Sequence, residues 1–200
     1  MRMARVRIFG IDPGSVRTGY GCIDSDGTRH RLVICGAIDS PAGTSFPDRL
    51  LNIHRGLSAA LAECRPDGVA VESIFYAVNA RSALQLGHAR GVALLAASQA
   101  GVPIAEYAPA EVKRAMVGYG RAEKTQVREM MRLLLGFESV DYPLDVSDAL
   151  AVAICHLHHR GHRALLDSDG NDIAAPARRR TGRGSATSWR NYKVAPTAGR

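Results

Sequence analysis

Four acidic residues stand where a carboxylate has to be paired or bound to a cation. Glu72 lies inside the apolar run 69–74, and a carboxylate in a buried strand is costly unless a cation compensates it. Asp12 ends the first apolar segment, directly before a Pro-Gly turn. Asp145 and Asp148 are three residues apart at the start of a helical pattern and therefore share one helix face. Taken singly, each acid also has an ordinary structural explanation, such as a turn, a helix N-terminus or an ion pair with an arginine.

Gathered in one place, these carboxylates would form a site for divalent cations. A set of oxygen ligands without His or Cys favours Mg²⁺ or Mn²⁺, which also bind substrate phosphates. Two such ions activate a water molecule and stabilise the leaving oxygen in phosphodiester hydrolysis. Because no Ser or Tyr has a recognisable activating base beside it, the sequence predicts direct attack by water rather than a covalent intermediate.

Strands and helices follow one another in an order that can bring the four acids together. Apolar patterning predicts strands at 6–12, 18–23, 28–38, 69–74 and 103–107. Helical spacing predicts helices at 46–65, 79–101, from 109 on, at 122–135 and at 144–159. The order βββαβαβααα is typical of an α/β fold with a five-stranded mixed sheet flanked by helices. In such a sheet the first and fourth strands can be neighbours, with the last helix packed across their ends.

The positive charge of the chain is confined to its C-terminal part. The formal net charge of the 200 residues is +7, from 26 Lys and Arg against 19 Asp and Glu. Seven of the basic residues and no acid fall after residue 175: Arg178, Arg179, Arg180, Arg183, Arg190, Lys193 and Arg200. The remaining 19 basic residues balance the 19 acids. We therefore predict one globular domain over 1–166 and a disordered basic tail over 167–200.

Cysteine usage and hydropathy predict a cytoplasmic protein without a membrane partner. The four cysteines Cys22, Cys35, Cys64 and Cys155 are scattered, without a C-x-x-C pair, which favours free thiols in a reducing compartment. No run of about 18 apolar residues would span a bilayer, and the first residues lack the pattern of an export signal.

Ordered sequence blocks connect the acids and resemble a known family. The chain reads FGIDPGS at 9–15, TGYG at 18–21, VESIF at 71–75 and NARSALQLGHARGVA at 79–93. It continues with EYAP at 106–109, VK at 112–113, VGYG at 117–120, EK at 123–124 and DVSDALA at 145–151. Over about residues 5–160 these blocks resemble the RuvC family of bacterial Holliday-junction resolvases. A GIDPGS motif alone would be weak, whereas the ordered set is highly specific.

The resemblance implies an RNase H-like fold, a homodimer and paired symmetric nicks across a four-way DNA junction during recombination and repair. It also implies two Mg²⁺ ions per active site, with Mn²⁺ able to substitute, and RuvA and RuvB branch-migration proteins as partners. The four acidic residues of the family fall on Asp12, Glu72, Asp145 and Asp148, as catalytic residues and metal ligands.

Further site residues come from the resemblance and from local chemistry. The junction-contacting aromatic of the family falls on Phe75, and its basic active-site positions fall on Lys113 and Lys124, where a lysine holds the scissile phosphate or stabilises its charge. Tyr119 and Arg121 lie in a glycine-rich loop that we expect to follow a DNA backbone. From the residues alone, Phe75 is equally well explained as a core side chain, and each lysine as part of a solvated helix face.

Two other classes of function compete with a nuclease. An ATP-binding protein of the actin, Hsp70 and sugar-kinase type also opens with a Gly-Ile-Asp strand, but it needs a duplicated domain for which 200 residues leave no room. A module that binds branched DNA without cutting it would keep the fold and lose the acids, whereas all four are present here. Detectable ATP turnover would favour the first class, and binding without cleavage the second.

Overall fold

The computed structural model describes residues 5–73, 79–137 and 143–168, with side chains described as far as residue 161. Its strands are β1 (Val6–Asp12), β2 (Arg17–Ser25), β3 (His30–Asp39), β4 (Gly68–Glu72) and β5 (Ile104–Tyr107). Its helices are α1 (Phe46–Cys64), α2 (Ala80–Gln99), α3 (Pro109–Val117), α4 (Lys124–Leu135) and α5 (Leu144–Ser168). The predicted order of elements is confirmed.

The strands form a single mixed sheet in the order β3-β2-β1-β4-β5. β1 pairs antiparallel with β2, which pairs antiparallel with β3, so the first three strands form a meander. β4 lies parallel to both β1 and β5. The carboxyl ends of β1 and β4 therefore meet at the same edge of the sheet, as the sequence predicts.

Helices cover both faces of this sheet. Along β1, Ile8 is buried on the face covered by α3, α4 and α5, and the next residue, Phe9, on the face covered by α1 and α2. This alternation follows from the two-residue period of a strand. A sheet buried on both faces holds its strands firmly, and with them the residues at the strand ends.

Helix α5 crosses β1 and β2 at very short range because two glycines lie beneath it. A Cβ atom at Gly10 would come within 2.0 Å of the Ala149 carbonyl oxygen, and one at Gly19 within 2.1 Å of the Asp145 carbonyl oxygen. Since real Cβ contacts are never so short, any other residue at these positions would push the helix away. The glycines thus set the height of Asp145 above the sheet.

Helical spacing predicts that Leu84, Ala89, Val92, Leu95 and Ala96 share one apolar side of helix α2, and the structure differs from this prediction. Ala89 and Ala96 are buried, whereas Leu84 and Leu95 are 65% and 51% exposed. Alanine lets the helix lie close to its neighbours, so the leucines are left on the outer surface. Asn79 caps the N-terminus of this helix, because its side chain accepts a hydrogen bond from the Ser82 amide at 2.9 Å.

Several boundaries differ from their predicted positions. β4 ends at Glu72 instead of residue 74, and α4 begins at Lys124 instead of residue 122. The largest difference is in α5, which continues to Ser168, nine residues past its predicted end and beyond the expected domain end at 166. The remainder of the expected tail, 169–200, lies outside the described residues. Among the helices that the structure describes, none is both long and apolar enough to span a membrane.

Candidate active site

The four predicted acids come together at the carboxyl edge of the parallel strands. Asp12 and Glu72 are the last residues of the adjacent strands β1 and β4, whose register pairs Ile11 with Val71 just before them. The first turns of α5 bring Asp145 and Asp148 over the same edge, and the charges of both act on Asp12. All four are half-buried. The predicted meeting of four acids from three elements is therefore observed.

Asp12 and Glu72 are so close that their carboxyl groups form a hydrogen bond. Burial, and then the charge of Glu72, raise the pKa of Asp12 to about 8. Burial also raises the pKa of Glu72, while the hydrogen bond that it accepts from Asp12 opposes this rise. Two carboxylates this close cannot both ionise freely, so near neutral pH the pair retains a proton.

The two predicted lysines lie beside the acids. The Lys124 ammonium group donates a 2.7 Å hydrogen bond to Asp148 Oδ2, and this bond raises the pKa of Lys124. Lys113 lines a cavity of about 270 Å³ together with Glu72, Lys124 and Asp148. The positive charges of both lysines lower the pKa of Glu72 and so partly offset its burial. The cavity is wide enough for a phosphate group with acidic and basic groups on its walls.

A tight turn after β1 fixes Asp12 through Gly14 and Thr18, which belong to the sequence blocks quoted above but are not predicted as site residues. The buried Thr18 hydroxyl donates to the Gly14 carbonyl oxygen at 2.9 Å and accepts from the Gly14 amide at 3.3 Å. A Cβ atom at Gly14 would come within 2.0 Å of the Arg17 carbonyl oxygen. Since the turn closes only with glycine at that position, the motif that follows Asp12 serves to hold its strand end.

Arg17 and Asp39 are also absent from the predicted site. Arg17 Nε lies 2.5 Å from Asp39 Oδ1 and 3.8 Å from Asp145 Oδ2. A basic residue five positions after a ligand-type aspartate is a weak signal in the sequence. The role of Arg17 becomes visible only with its partner Asp39, which lies 22 residues further along the chain, in β3.

The structure describes two of the three residues outside the cavity that are predicted to contact DNA. The Tyr119 hydroxyl donates to Gln126 Oε1 at 2.7 Å, which ties the loop after α3 to the first turn of α4. Arg121, in the same loop, is exposed. Phe75 lies outside the described residues.

The carboxylates of the site are suitable ligands for divalent cations, but in this structure they form hydrogen bonds with one another and with Lys124. Among the residues described, no group of three or more His, Cys, Asp and Glu side chains is arranged to hold a metal ion. Asp148 faces Lys124, and Asp12 faces Glu72. Side-chain rotation would release their oxygens, and four carboxylates suit a hard divalent cation. The proton shared by two buried carboxyl groups indicates that the site has more negative charge than its own cations compensate.

Comparisons with known proteins agree with this geometry. The family model described as crossover junction endodeoxyribonuclease RuvC matches residues 8–156. The crossover junction endodeoxyribonuclease RuvC of Syntrophotalea carbinolica is 55% identical over 153 residues, covering 76% of this chain and 94% of that protein. The same-named protein of Pelobacter propionicus is 48% identical over 188 residues, covering 94% of this chain and 99% of that protein.

A solved structure has the same architecture. T. thermophilus RuvC in complex with Holliday junction substrate superposes with a TM-score of 0.70 at 32% sequence identity, covering 78% of this chain and 94% of the other. The shared architecture is RNase H-like, so the predicted fold class is confirmed.

Proposed function

This chain belongs to the RuvC family of crossover junction endodeoxyribonucleases, and we propose that it cuts Holliday junctions at the carboxylate site between β1, β4 and α5. As a member of the family it is a metal-dependent nuclease that resolves Holliday junctions in DNA recombination and repair. We assign that activity to individual residues, and the geometry of the site supports the assignment.

The observation that carries the assignment is the hydrogen-bonded pair of Asp12 and Glu72. The protein places two half-buried carboxyl groups in contact at the ends of neighbouring strands and leaves them with one proton near neutral pH. Such an arrangement destabilises the fold unless a cation replaces the proton. Sites that cost stability in this way are typical of catalytic centres.

Asp12, Glu72, Asp145 and Asp148 would hold the metal, which we assign as two Mg²⁺ ions with Mn²⁺ as a substitute. Bound there, such ions activate a water molecule and stabilise the leaving oxygen of a phosphodiester. The chain itself contributes the alignment: β1 and β4 are held in one sheet, and α5 is held at a fixed height by Gly19. To act as a ligand, Asp12 would have to lose the proton that it shares with Glu72.

Lys124 and Lys113 would hold the scissile phosphate. Lys124 is 62% exposed even though it donates to Asp148, so its ammonium group can turn toward a phosphate in the cavity that it shares with Lys113. A cation near the non-bridging oxygens stabilises the charge that develops on them. That turn would also break the hydrogen bond to Asp148 Oδ2 and leave this oxygen free to hold a metal ion.

DNA contacts outside the cavity extend this site. We assign Phe75 to stacking against an unpaired base, and Tyr119 and Arg121 to the DNA backbone beside the cleavage site. The basic residues in 167–200, the predicted tail that follows the domain at 1–166, would add phosphate attraction that does not depend on sequence.

Symmetric cleavage calls for a second copy of the chain, and α2 offers the surface for a homodimer. Leu84 and Leu95, with Gly87 and Gly91 between them, line an open apolar groove against α1. Neither glycine has a neighbour that a Cβ atom would touch, so a second helix can approach closely there. We also assign RuvA and RuvB as partners and, because none of the four cysteines, all within the described residues, forms a disulfide, a reducing cytoplasm as the compartment.

The decisive experiment incubates the protein with a synthetic four-way junction, a duplex and a single strand, each with EDTA, Mg²⁺ or Mn²⁺. We expect paired nicks only in the junction and only with a divalent cation. Glu72→Gln should abolish cutting and leave junction binding in a gel-shift assay unchanged. Glu63→Gln, the same exchange at an exposed position, is the matched control and should cut normally. Cutting by Glu72→Gln at the wild-type rate would remove Glu72 from the site.

A further inference from the structure

A guanidinium group lies between a carboxylate of the active site and a carboxylate outside it. The same nitrogen atom, Arg17 Nε, is 2.5 Å from Asp39 Oδ1 and 3.8 Å from Asp145 Oδ2. Arg17 therefore forms a hydrogen bond with Asp39 and only a longer ion pair with Asp145. Asp39 and Asp145 compete for one cation, and in this structure Asp39 has the shorter contact.

We propose that Asp39 is a positioning residue that keeps Arg17 from pairing fully with Asp145 and so leaves the Asp145 carboxylate free to bind the divalent cation. The inference rests on the proposed function, because it assumes that Asp145 is a metal ligand. Asp39 itself acts only through Arg17.

The backbone around the three residues is held in place. Arg17 and Asp39 are directly opposite in the antiparallel pair of β2 and β3, and the Ser40 amide donates to the Val16 carbonyl oxygen at 3.2 Å at the end of this pair. Asp145 is held in the first turn of α5, above Gly19. The movable part is the long Arg17 side chain, which is 45% exposed.

A small movement of that side chain would change its partner. A charge-assisted N–H···O bond has a length of about 2.8 Å, so the guanidinium group needs to move only about 1 Å to bond with Asp145. Guanidinium stays charged at all relevant pH values and binds a carboxylate through two parallel bonds. A pair of that kind would occupy both Asp145 oxygens and compete with a metal ion for them.

The test measures binding of Mn²⁺ alone, without DNA, by calorimetry and by the loss of the free-ion signal in electron paramagnetic resonance. We expect Asp39→Asn to weaken Mn²⁺ binding roughly threefold to fivefold, the effect of one exposed ion pair. Arg17→Gln alone should not weaken Mn²⁺ binding. The double variant Arg17→Gln with Asp39→Asn should bind Mn²⁺ as tightly as the unchanged protein, which would also show that Asp39→Asn leaves the site folded.

Repeating the Asp39→Asn exchange in a protein that already contains Asp145→Asn separates two explanations. One is competition between Arg17 and the metal ion for Asp145, and the other is a general loss of negative charge. In Asp145→Asn protein, Arg17 has no site carboxylate to capture, so a further Asp39→Asn exchange should leave Mn²⁺ affinity unchanged. If Asp39→Asn weakens binding equally in both backgrounds, the effect is general electrostatics and the proposal is wrong. Wild-type Mn²⁺ affinity in the Asp39→Asn single variant would overturn it as well.

One further variant separates failure of this inference from failure of the proposed site. Asp12→Asn should reduce Mn²⁺ binding far more strongly than Asp39→Asn does. If Asp12→Asn binds Mn²⁺ normally, the carboxylate site itself is wrongly assigned, and the role of Asp39 falls with it. If Asp12→Asn loses binding while Asp39→Asn does not, only the role of Asp39 is refuted.

Discussion

The two ends of the β1–β2 pair each contain a buried or half-buried aspartate, and the protein treats the two in opposite ways. Asp24 of β2 is opposite Arg7 at the start of β1, whereas Asp12 at the end of β1 is opposite Gly19. At about 3.3 Å per residue, the two ends are about 17 Å apart. Both acids belong to the same sheet, so the difference between them comes from the side chains that surround each one.

At the Asp24 end, the chain supplies its own cations. Arg7 donates to both Asp24 oxygens, at 2.7 and 3.1 Å, and Arg31 and Arg5 lie 3.6 and 3.9 Å from Oδ2. The Asp24 side chain is 1% exposed. The hydrogen bond with Arg7 nevertheless holds the pKa of Asp24 below its ordinary value, against the opposing effect of burial. This acid is a structural one, with its charge fully compensated inside the protein.

At the Asp12 end, the described residues do not fully neutralise the negative charge of the carboxyl groups. The nearest described partner of Asp12 is another acid, Glu72, and burial with that neighbour raises the pKa of Asp12. The closest lysine contact in the site, from Lys124, goes to Asp148. The comparison supports the proposal that a cation from solution compensates this end, whereas arginines of the chain compensate the other end.

The largest expected effect is on cleavage. Asp12→Asn removes a proposed metal ligand and should slow junction cutting by about a thousandfold or more, since metal stabilisation contributes several kcal/mol to such a step. Asp24→Asn is the same exchange at the other end and should cut at the wild-type rate once folded protein concentrations are matched. The measurement is single-turnover cleavage at saturating protein with Mg²⁺. Equal losses in the two variants would contradict the division of roles.

The same two variants should change the free energy of unfolding in opposite directions. Asp24→Asn leaves Arg7 without its carboxylate and should lower stability by about 2 kcal/mol, less than a fully buried pair because Arg7 is 33% exposed. Asp12→Asn removes the cost of protonating Asp12 on folding and should therefore raise stability by about 1 kcal/mol at pH 7 in EDTA. Urea denaturation measures both changes. Destabilisation by Asp12→Asn in EDTA would show that its carboxyl group is needed for folding.

The role of Asp12 could be predicted from the sequence, whereas the ion pair of Asp24 at the other end of the β1–β2 pair could not. Asp12 and Glu72 could be singled out because each interrupts or ends an apolar run, and a shared site explains both. Asp24 gives no such signal, because its partner Arg7 is brought opposite by the register of two strands. Register depends on how the whole sheet packs, and short sequence windows do not contain it.

Helix faces and side-chain partners were predictable to different degrees. Asp145 and Asp148 share a face because of helical spacing alone. The outward position of Leu84 and Leu95 was missed, because α2 buries alanines where close packing needs small side chains. Arg17 and Asp39 were missed for the reason that applies to Asp24, since their contact is made across two strands.

The pH dependence of stability should separate the two ends without reference to activity. The pKa of Asp12 is raised from 3.8 to about 8, so the folded protein holds the extra proton and stability is lost as pH rises between these values. The pKa of Asp24 is lowered from 3.8, so its contribution is present above that pH and is lost as pH falls below it. Subtracting the Asp12→Asn and Asp24→Asn curves from the wild-type curve, in EDTA, isolates each effect. Differences that do not vary with pH in these windows would refute the assigned charges.

The smallest expected effect is on the free energy of unfolding, when the arginines around Asp24 are replaced one at a time. Arg31 is 3.6 Å from Asp24 Oδ2 and 69% exposed, so water screens its charge and Arg31→Gln should cost less than about 0.5 kcal/mol. Arg7→Gln, at the half-buried position with two hydrogen bonds to Asp24, should cost about 2 kcal/mol because it leaves a buried carboxylate short of donors. Urea denaturation at pH 7 compares the two.

A loss from Arg31→Gln as large as that from Arg7→Gln would mean that Asp24 needs the summed field of its arginines. A small loss would mean that one directed pair of hydrogen bonds is enough to make a buried acid structural, which is the condition that Asp12 lacks.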